Sequence, residues 1–343
     1  MLTLKNTALP EKTENLNIDK NSDSIFQCTS AFYPNIGFYF IGKEFSSPIH
    51  LNTFPAFKLY SQLRNSQSAV FQGIEFITVA EKKKVYSGNE IIGLLIRDKQ
   101  TEQIFVFGLS PKNIHEPAPV QAKTTFSLMK KVLEENDFHF TDIVRTWFYN
   151  KDILSWYSDF NEIRTNFYSD NNIFKNVLPA STGIGAENIY NAAISCGFHA
   201  VKKRNGEKSA VIVESPLQDS AEKYKSSFSR AVEVNLCDYK KLYISGTASI
   251  NKEGKTIHVG NCAKQIEETM RVVDAILKSK NISWGNISRA IAYFRNYKDI
   301  YLFNEFIKEN NIFPFPHIAV QATICRENLL FEIEVDAIIP KSN

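Results

Sequence analysis

The chain carries one pattern twice, and that repeat limits what it can become. The segment QAKTTFSLMKKVLEENDFHFTDIVRTWFY begins at Gln121, and QIEETMRVVDAILKSKNISWGNISRAIAY begins at Gln265. At this offset of 144 residues, Ile143 meets Ile287, Arg145 meets Arg289 and Tyr149 meets Tyr293. Ile266, Met270, Val273 and Leu277 fall at helical spacing, and Ala122, Phe126, Met129 and Leu133 hold the same places in the first copy. Steps of three and four put these side chains on one face, so each copy predicts an amphipathic helix followed by a strand.

The match resumes after three extra residues in the second copy. Asp152, Ile153, Trp156 and Phe160 pair with Asp299, Ile300, Phe303 and Ile307, which predicts a second amphipathic helix with Asp near its N-cap. A Pro-led hairpin follows: LPASTGIGAENIYNAAISCGFHAV from Leu178 matches FPHIAVQATICRENLLFEIEVDAI from Phe315 without a gap. Each copy reads β-β-α-β-α-β-β. The expected class is α+β, with two tandem domains, each a mixed sheet with two helices on one face. The segments expected are a loose tail (1–24), a first domain (25–205), a linker (206–227) and a second domain (228–343).

Composition narrows the function. The 343 residues, 43% hydrophobic and 22% charged, suit two globular domains. A net charge of +3 with no basic-aromatic stripe argues against a nucleic-acid partner. No apolar run approaches the roughly 18 residues of a bilayer span, so no membrane partner is expected. The polar N-terminus lacks an apolar h-region and does not read as a signal peptide. Cys28, Cys196, Cys237, Cys262 and Cys325 are scattered and include no C-x-x-C, which predicts reduced thiols and a cytoplasmic location. His50, His115, His139, His199, His258 and His317 show no ligand spacing, so no metal is expected. Phosphate-loop, dinucleotide and G-x-S-x-G motifs are missing, and no cofactor is expected.

The two copies differ along the last strand. Ser195, Gly197 and His199 of the first stand where Glu332, Glu334 and Asp336 stand in the second. A plain solvent face would be polar in both halves. The acidic row therefore marks a functional place, with one glutamate as an acid in a pocket and Asp336 expected at the rim or in solvent.

The same segments carry a resemblance. LYISGTASI, the helix from about Ala263, ISRAIAYF, the Pro316 hairpin and EIEVDAI resemble the RidA (YjgF) family of small α+β proteins over about residues 228–340. The imine deaminases of that family hold a substrate carboxylate with an Arg two residues after the hairpin Pro. Ile318 stands there in this chain, which argues against that activity.

The whole chain is more similar to the chorismatases. VRTWFY (144–149), YSDFNEIRTNFY (157–168), LPASTGIGA (178–186), FSRA (228–231), SGTAS (245–249) and ICRENLLFEIE (324–334) carry the likeness. It implies two tandem RidA-like, chorismate-mutase-like domains with a site in the cleft between them. It also implies that chorismate loses pyruvate to leave a hydroxybenzoate, 3-hydroxybenzoate or also 4-hydroxybenzoate, for secondary metabolism. The alternatives are a chorismate hydrolase giving 3,4-dihydroxycyclohexa-1,5-dienoate, and a non-catalytic metabolite-binding protein. RidA relatives are trimers with sites between subunits. A tandem repeat can supply that interface within one chain, so monomer and trimer both remain open.

The substrate so implied sets the residue roles. Chorismate has two carboxylates and an acid-labile enol ether. Arginine meets a carboxylate bidentately, which makes Arg145, Arg164, Arg230 and Arg326 candidate clamps. A carboxyl whose pKa is raised by desolvation suits the proton donor. Glu332 is the first candidate, seven residues after Cys325, a spacing the family shows; Glu334 shares its facing and is the second. Cys325 and Ala248 are the product-determining positions of the family pattern. The Cys accompanies an aromatic product in related enzymes, whereas the Ala resembles the hydrolytic type. Thr182, beside Ser181, offers a hydroxyl and a backbone N–H to an anion. Tyr224 offers a hydroxyl from the linker, where Lys223 and Lys225 approach FSRA.

Overall fold

In a computed structural model the residues described are 36–39, 63–65, 68–70, 74–77 and 81–341, apart from Ile189, Lys225, Asp238 and Pro314. The expected tail, residues 1–24, lies outside them, as do Cys28 and His50. Near the N-terminus β1 (Ile36–Tyr39) pairs antiparallel with β4 (Ile74–Ile77), and β2 (Leu63–Asn65) with β3 (Ser68–Val70).

Two six-stranded sheets follow. The first holds β5 (Glu81–Ser87), β6 (Glu90–Arg97), β7 (Thr101–Leu109), β8 (Ile143–Asn150), β9 (Ala180–Ile184) and β10 (Ile194–Lys203), in the order β5-β6-β7-β10-β8-β9. The second holds β11 (Ala210–Val213), β12 (Ala231–Asn235), β13 (Tyr239–Ala248), β14 (Ile287–Phe294), β15 (Ile318–Gln321) and β16 (Phe331–Pro340), in the order β11-β12-β13-β16-β14-β15. The orders are the same, and in each sheet one pair is parallel, β8 with β9 and β14 with β15. Helices α1 (Ala118–Glu134) and α2 (Ile153–Asp170) serve the first sheet, α3 (Cys262–Ser279) and α4 (Ile300–Glu309) the second. The expected α+β class with two tandem domains is found. Each copy, however, opens with three strands rather than two. The added strands were masked in the sequence: β5 carries the charged run Lys82–Lys84, and β11 is four residues long with Val211 and Ile212 exposed. β11 lies within residues 206–227 and pairs with β12.

The repeat is carried into side-chain detail. Gln121 and Gln265, both buried on their helices, accept from the backbone N–H of Ala193 and Leu330 at 2.8 Å each. Asp142 and Asn286 cap equivalent 3-10 turns ahead of β8 and β14. One core packs α1 and α2 on the first sheet (Phe126, Met129, Phe148, Phe160, Phe198). Another packs α3 and α4 on the second (Ile266, Met270, Phe294, Phe303, Phe331). A third lies between the sheets, with Trp147, Tyr149, Tyr243 and Tyr293. The layers thus run helix, sheet, sheet, helix.

The edge strand β9 joins the halves. The Ser229 N–H donates to the Pro179 carbonyl at 3.0 Å, and the Ser181 N–H to the Ser245 hydroxyl at 2.8 Å. Gly185 and Thr323 exchange backbone hydrogen bonds of 2.7 and 2.9 Å. The stretches LPASTGIGA, FSRA and SGTAS therefore meet at one junction.

Candidate active site

The alternation of β16 decides where its carboxylates go. Phe331, Ile333, Val335 and Ala337 fill the core beneath α3 and α4. With a side-chain period of two, Glu332, Glu334 and Asp336 must face the other sheet. They are 4%, 0% and 2% exposed. The expectation that Asp336 lies at the rim or in solvent is corrected: the facing sheet covers the whole row. Burying a carboxylate without a partner costs several kcal/mol, so each of the three needs its own account.

Glu334 has the fullest set of partners. Arg145 of β8 donates to its Oε2 at 2.9 Å, Trp147 Nε1 donates to Oε1 at 3.1 Å, and Arg289 of β14 also donates to Oε1. Burial alone would raise its pKa, but Arg289 and Arg145 outweigh burial and hold it below the usual carboxylate value. Asp336 lies 3.5 Å from Arg289 and 3.9 Å from Lys241. Burial opposes the charge of Arg289, yet Glu334 and Asp336 raise its pKa above the ordinary value.

Glu332 is different. It makes no hydrogen bond or ion pair with any described residue. In the sheet it stands between Ala248 of β13 and Tyr293 of β14. A Cβ on Gly246 would sit 2.1 Å from Glu332 Oε1, so only glycine lets this carboxyl lie against the β13 backbone. Burial, and next the charge of Glu334, push its pKa up to about 8, against the opposing pull of Arg145 and Arg326. At neutral pH it is a neutral acid without a partner among the described residues.

Around it lie groups from both halves. Cys325 is half-buried, its thiol pushed up to about 12 by burial and then by Glu332, with Tyr157 of α2 among the groups pulling the other way. Burial, with Cys325 next, raises the Tyr157 phenol, while Arg164 pulls the other way. Arg164 is 2% exposed, donates to Asn161 Oδ1 at 2.7 Å and faces the rings of Phe160 and Phe228 at 5.2 and 5.7 Å. Its Nε has no hydrogen-bond partner, and no carboxylate among the described residues lies within ion-pair distance of it. Arg230 approaches Phe228 from elsewhere, at 5.5 Å, with Nε donating to the Asp219 carbonyl at 3.0 Å.

The remaining sequence candidates are placed as follows. Thr182 Oγ1 accepts from Arg145 Nη2 at 2.6 Å and from the Gly246 N–H at 3.1 Å, so it braces the wall behind Glu332. Arg145 is fully buried and directed at Glu334, with Nε and Nη1 unpaired among the described residues. Arg326 donates to the Gly254 carbonyl. Tyr224 ends a 3-10 turn, Ala221–Tyr224; its side chain and Lys225 lie outside the described residues. The sequence reading did not single out Tyr157, Trp147, Gly246 or Phe228. Tyr157 lies seven residues before Arg164 on one helix, a two-turn spacing that shares a face and was a usable signal. Among the described residues no cluster of His, Cys, Asp or Glu could hold a metal ion, and no helix is long and apolar enough to cross a membrane.

Comparison with known proteins bears on the family likeness and the fold. The family model Endoribonuclease L-PSP, the RidA type, matches residues 220–339. A chorismatase of Streptomyces rapamycinicus is 28% identical over 220 residues, 57% of this chain and 64% of that protein. A chorismatase of Streptomyces hygroscopicus is 26% identical over 215 residues, 56% of this chain and 60% of its own length. The matches thus span less than two thirds of these curated relatives. A solved chorismatase structure superposes with a TM-score of 0.58 at 19% identity, over 81% of this chain and 85% of that one, which shows the fold. The likeness to chorismatases, with a RidA-type C-terminal half, is borne out.

Proposed function

For a chain related to the chorismatases, we propose removal of pyruvate from chorismate by general acid catalysis from Glu332. The observation that carries this is the contrast within one strand. Glu334 is saturated with donors and ionised, whereas Glu332 is buried, unpartnered and pushed up to about 8. A protonated carboxyl in a dry site can deliver its proton to the enolpyruvyl methylene. In the oxocarbenium ion so formed the ring C–O bond breaks, its electron pair leaves with pyruvate, and the ring gives up one proton to become aromatic, which restores the acid. Glu334 is then the anchor of the site rather than its acid.

The second element is Arg164. A buried guanidinium without a counter-ion is costly, and a substrate carboxylate would complete it. Arg230, also beside the Phe228 ring, and Arg326 are the further cations of this clamp. Arg145 and Thr182 act from behind Glu332. Tyr157 feels the charges of both Arg164 and Glu332. The substrate is a small molecule, and the proton transfer needs no metal or other cofactor. One chain contributes both faces of the site, so a monomer suffices. Cys196, Cys262 and Cys325 are free thiols, which suits the cytoplasm.

The proposed ring product is a hydroxybenzoate, which with pyruvate accounts for every atom of chorismate. The hydrolytic reading adds one water and gives the dihydroxycyclohexadienoate. It is kept because Ala248, the residue of hydrolytic type, stands directly opposite Glu332 in the sheet, while Cys325 favours the aromatic outcome. The test mixes purified protein with chorismate in chelator-containing buffer, follows pyruvate with a coupled assay and identifies the ring product by mass. Pyruvate release that falls about 10²–10⁴-fold in Glu332→Gln is the expected result. Folded wild-type protein that binds chorismate but releases no pyruvate would sink the enzyme reading in favour of a binding protein.

A further inference from the structure

Two glutamates two residues apart on one strand have opposite surroundings. Both oxygens of Glu334 are occupied, by Arg145 on Oε2 and by Trp147 and Arg289 on Oε1. Glu332 has neither donor nor counter-ion among the described residues. Residues i and i+2 of a strand lie about 7 Å apart on the same face. At that distance, out of water, two carboxylates cannot both ionise cheaply. The group with counter-ions keeps its charge, and its neighbour keeps the proton.

We propose that Glu334 is a positioning residue acting through its charge: Arg145 and Arg289 fix it as a permanent anion, and that anion adds to burial in holding the proton on Glu332. This rests on the general-acid reading above. The other groups facing Glu332 cannot take its place. Arg145 on β8 and Arg326 in the β15–β16 connection favour its ionised form. Cys325 in that connection, Tyr157 on α2 and Tyr293 on β14 are neutral at physiological pH, their acidities suppressed first by burial. Gly246 and Ala248 on β13 carry no charge. Among the described residues, Glu334 is the anion that acts on Glu332.

The test reads the Glu332 proton directly. In full-length protein with ¹³C-labelled glutamate, infrared difference spectra against pH give the midpoint of the protonated carboxyl, assigned by its loss in Glu332→Gln. Glu334→Gln keeps shape and polarity but removes the charge, and should move the midpoint down by a unit or more, a tenfold or greater change in proton affinity. Arg145→Gln removes a cation that favours the ionised Glu332 and leaves Glu334 paired with Arg289, and should move it up. A residue that merely supported the fold would lower stability without moving the midpoint in opposite directions. An unmoved midpoint in whichever of the two variants folds overturns the proposal, as does a wild-type midpoint in the ordinary carboxylate range. Pyruvate release is measured in parallel. If wild type released none, the reaction would be wrong, while the spectra would still decide the role of Glu334.

Discussion

Arg145 and Arg289 stand at the same place in the two repeats, 144 residues apart, and close on one carboxylate, Glu334. One arrives from each sheet, so the second half's own strand is pinned by a cation of the first half. Removing one partner of a buried pair leaves an uncompensated charge at about 3–5 kcal/mol. Arg145→Met should destabilise by that order in denaturant unfolding. Arg145→Met with Glu334→Leu should recover a large part of it. A single mutant that loses less than about 1 kcal/mol would show that the pair does not hold the halves together.

Stability should fall with rising pH through Glu332. Its folded pKa, about 8, lies above its ordinary 4.5, so between these values the native state binds a proton the unfolded chain has released. The contribution is complete below about 4.5 and lost above about 8. The slope for this group is about −1.4 kcal/mol per pH unit at most. Glu332→Gln should remove that slope, so the stability gap between variant and wild type should widen toward alkaline pH. Parallel denaturation curves at pH 5, 7 and 9 would count against the raised pKa.

Arg164 should cost the free protein stability and serve its ligand. Replacing an unpaired buried guanidinium with an apolar chain of similar length, as in Arg164→Met, should raise the melting temperature. The same change should weaken chorismate binding about tenfold or more, read by calorimetry. A variant that is destabilised yet binds normally would mean that Arg164 has its counter-ion within the protein.

Gly246 holds Glu332 in place by having no side chain. Gly246→Ala would put a methyl 2.1 Å from Glu332 Oε1, so the carboxyl must swing away. A displacement of about 1 Å can cost on the order of 10² in rate. Pyruvate release should drop by that order while the far-ultraviolet dichroism stays that of wild type. Retained activity would place the acid elsewhere.

The repeat made the four helices and the order of most strands legible, because helical spacing and aligned hairpins persist in both copies. It hid β5 and β11, whose short or lysine-rich sequences lack the period-two signal. The difference between Ser195, Gly197, His199 and Glu332, Glu334, Asp336 pointed to the site. Sequence could not tell that Asp336 is buried, because that depends on a sheet far away in the chain. It also could not distinguish Glu332 from Glu334. The two share strand, facing and residue type, and only the arginines that reach one and miss the other separate them. Tyr157, from the opposite half, meets Cys325 across a junction no local pattern encodes.

The unequal rows also govern which surface each half accepts. Two copies of the second sheet laid face to face would bring six buried carboxylates together, with Arg289 and Lys241 of each copy as the cations seen to pair with the row. Against the first sheet the same row meets Arg145 and Trp147 of β8, and the neighbouring β10 carries Ser195, Gly197 and His199, none of them acidic. Like-charge juxtaposition costs several kcal/mol, so each half discriminates against its own twin. The electrostatics that would prepare an acid for catalysis therefore also enforce heterotypic pairing, a safeguard against the strand exchange and self-association to which duplicated domains are prone.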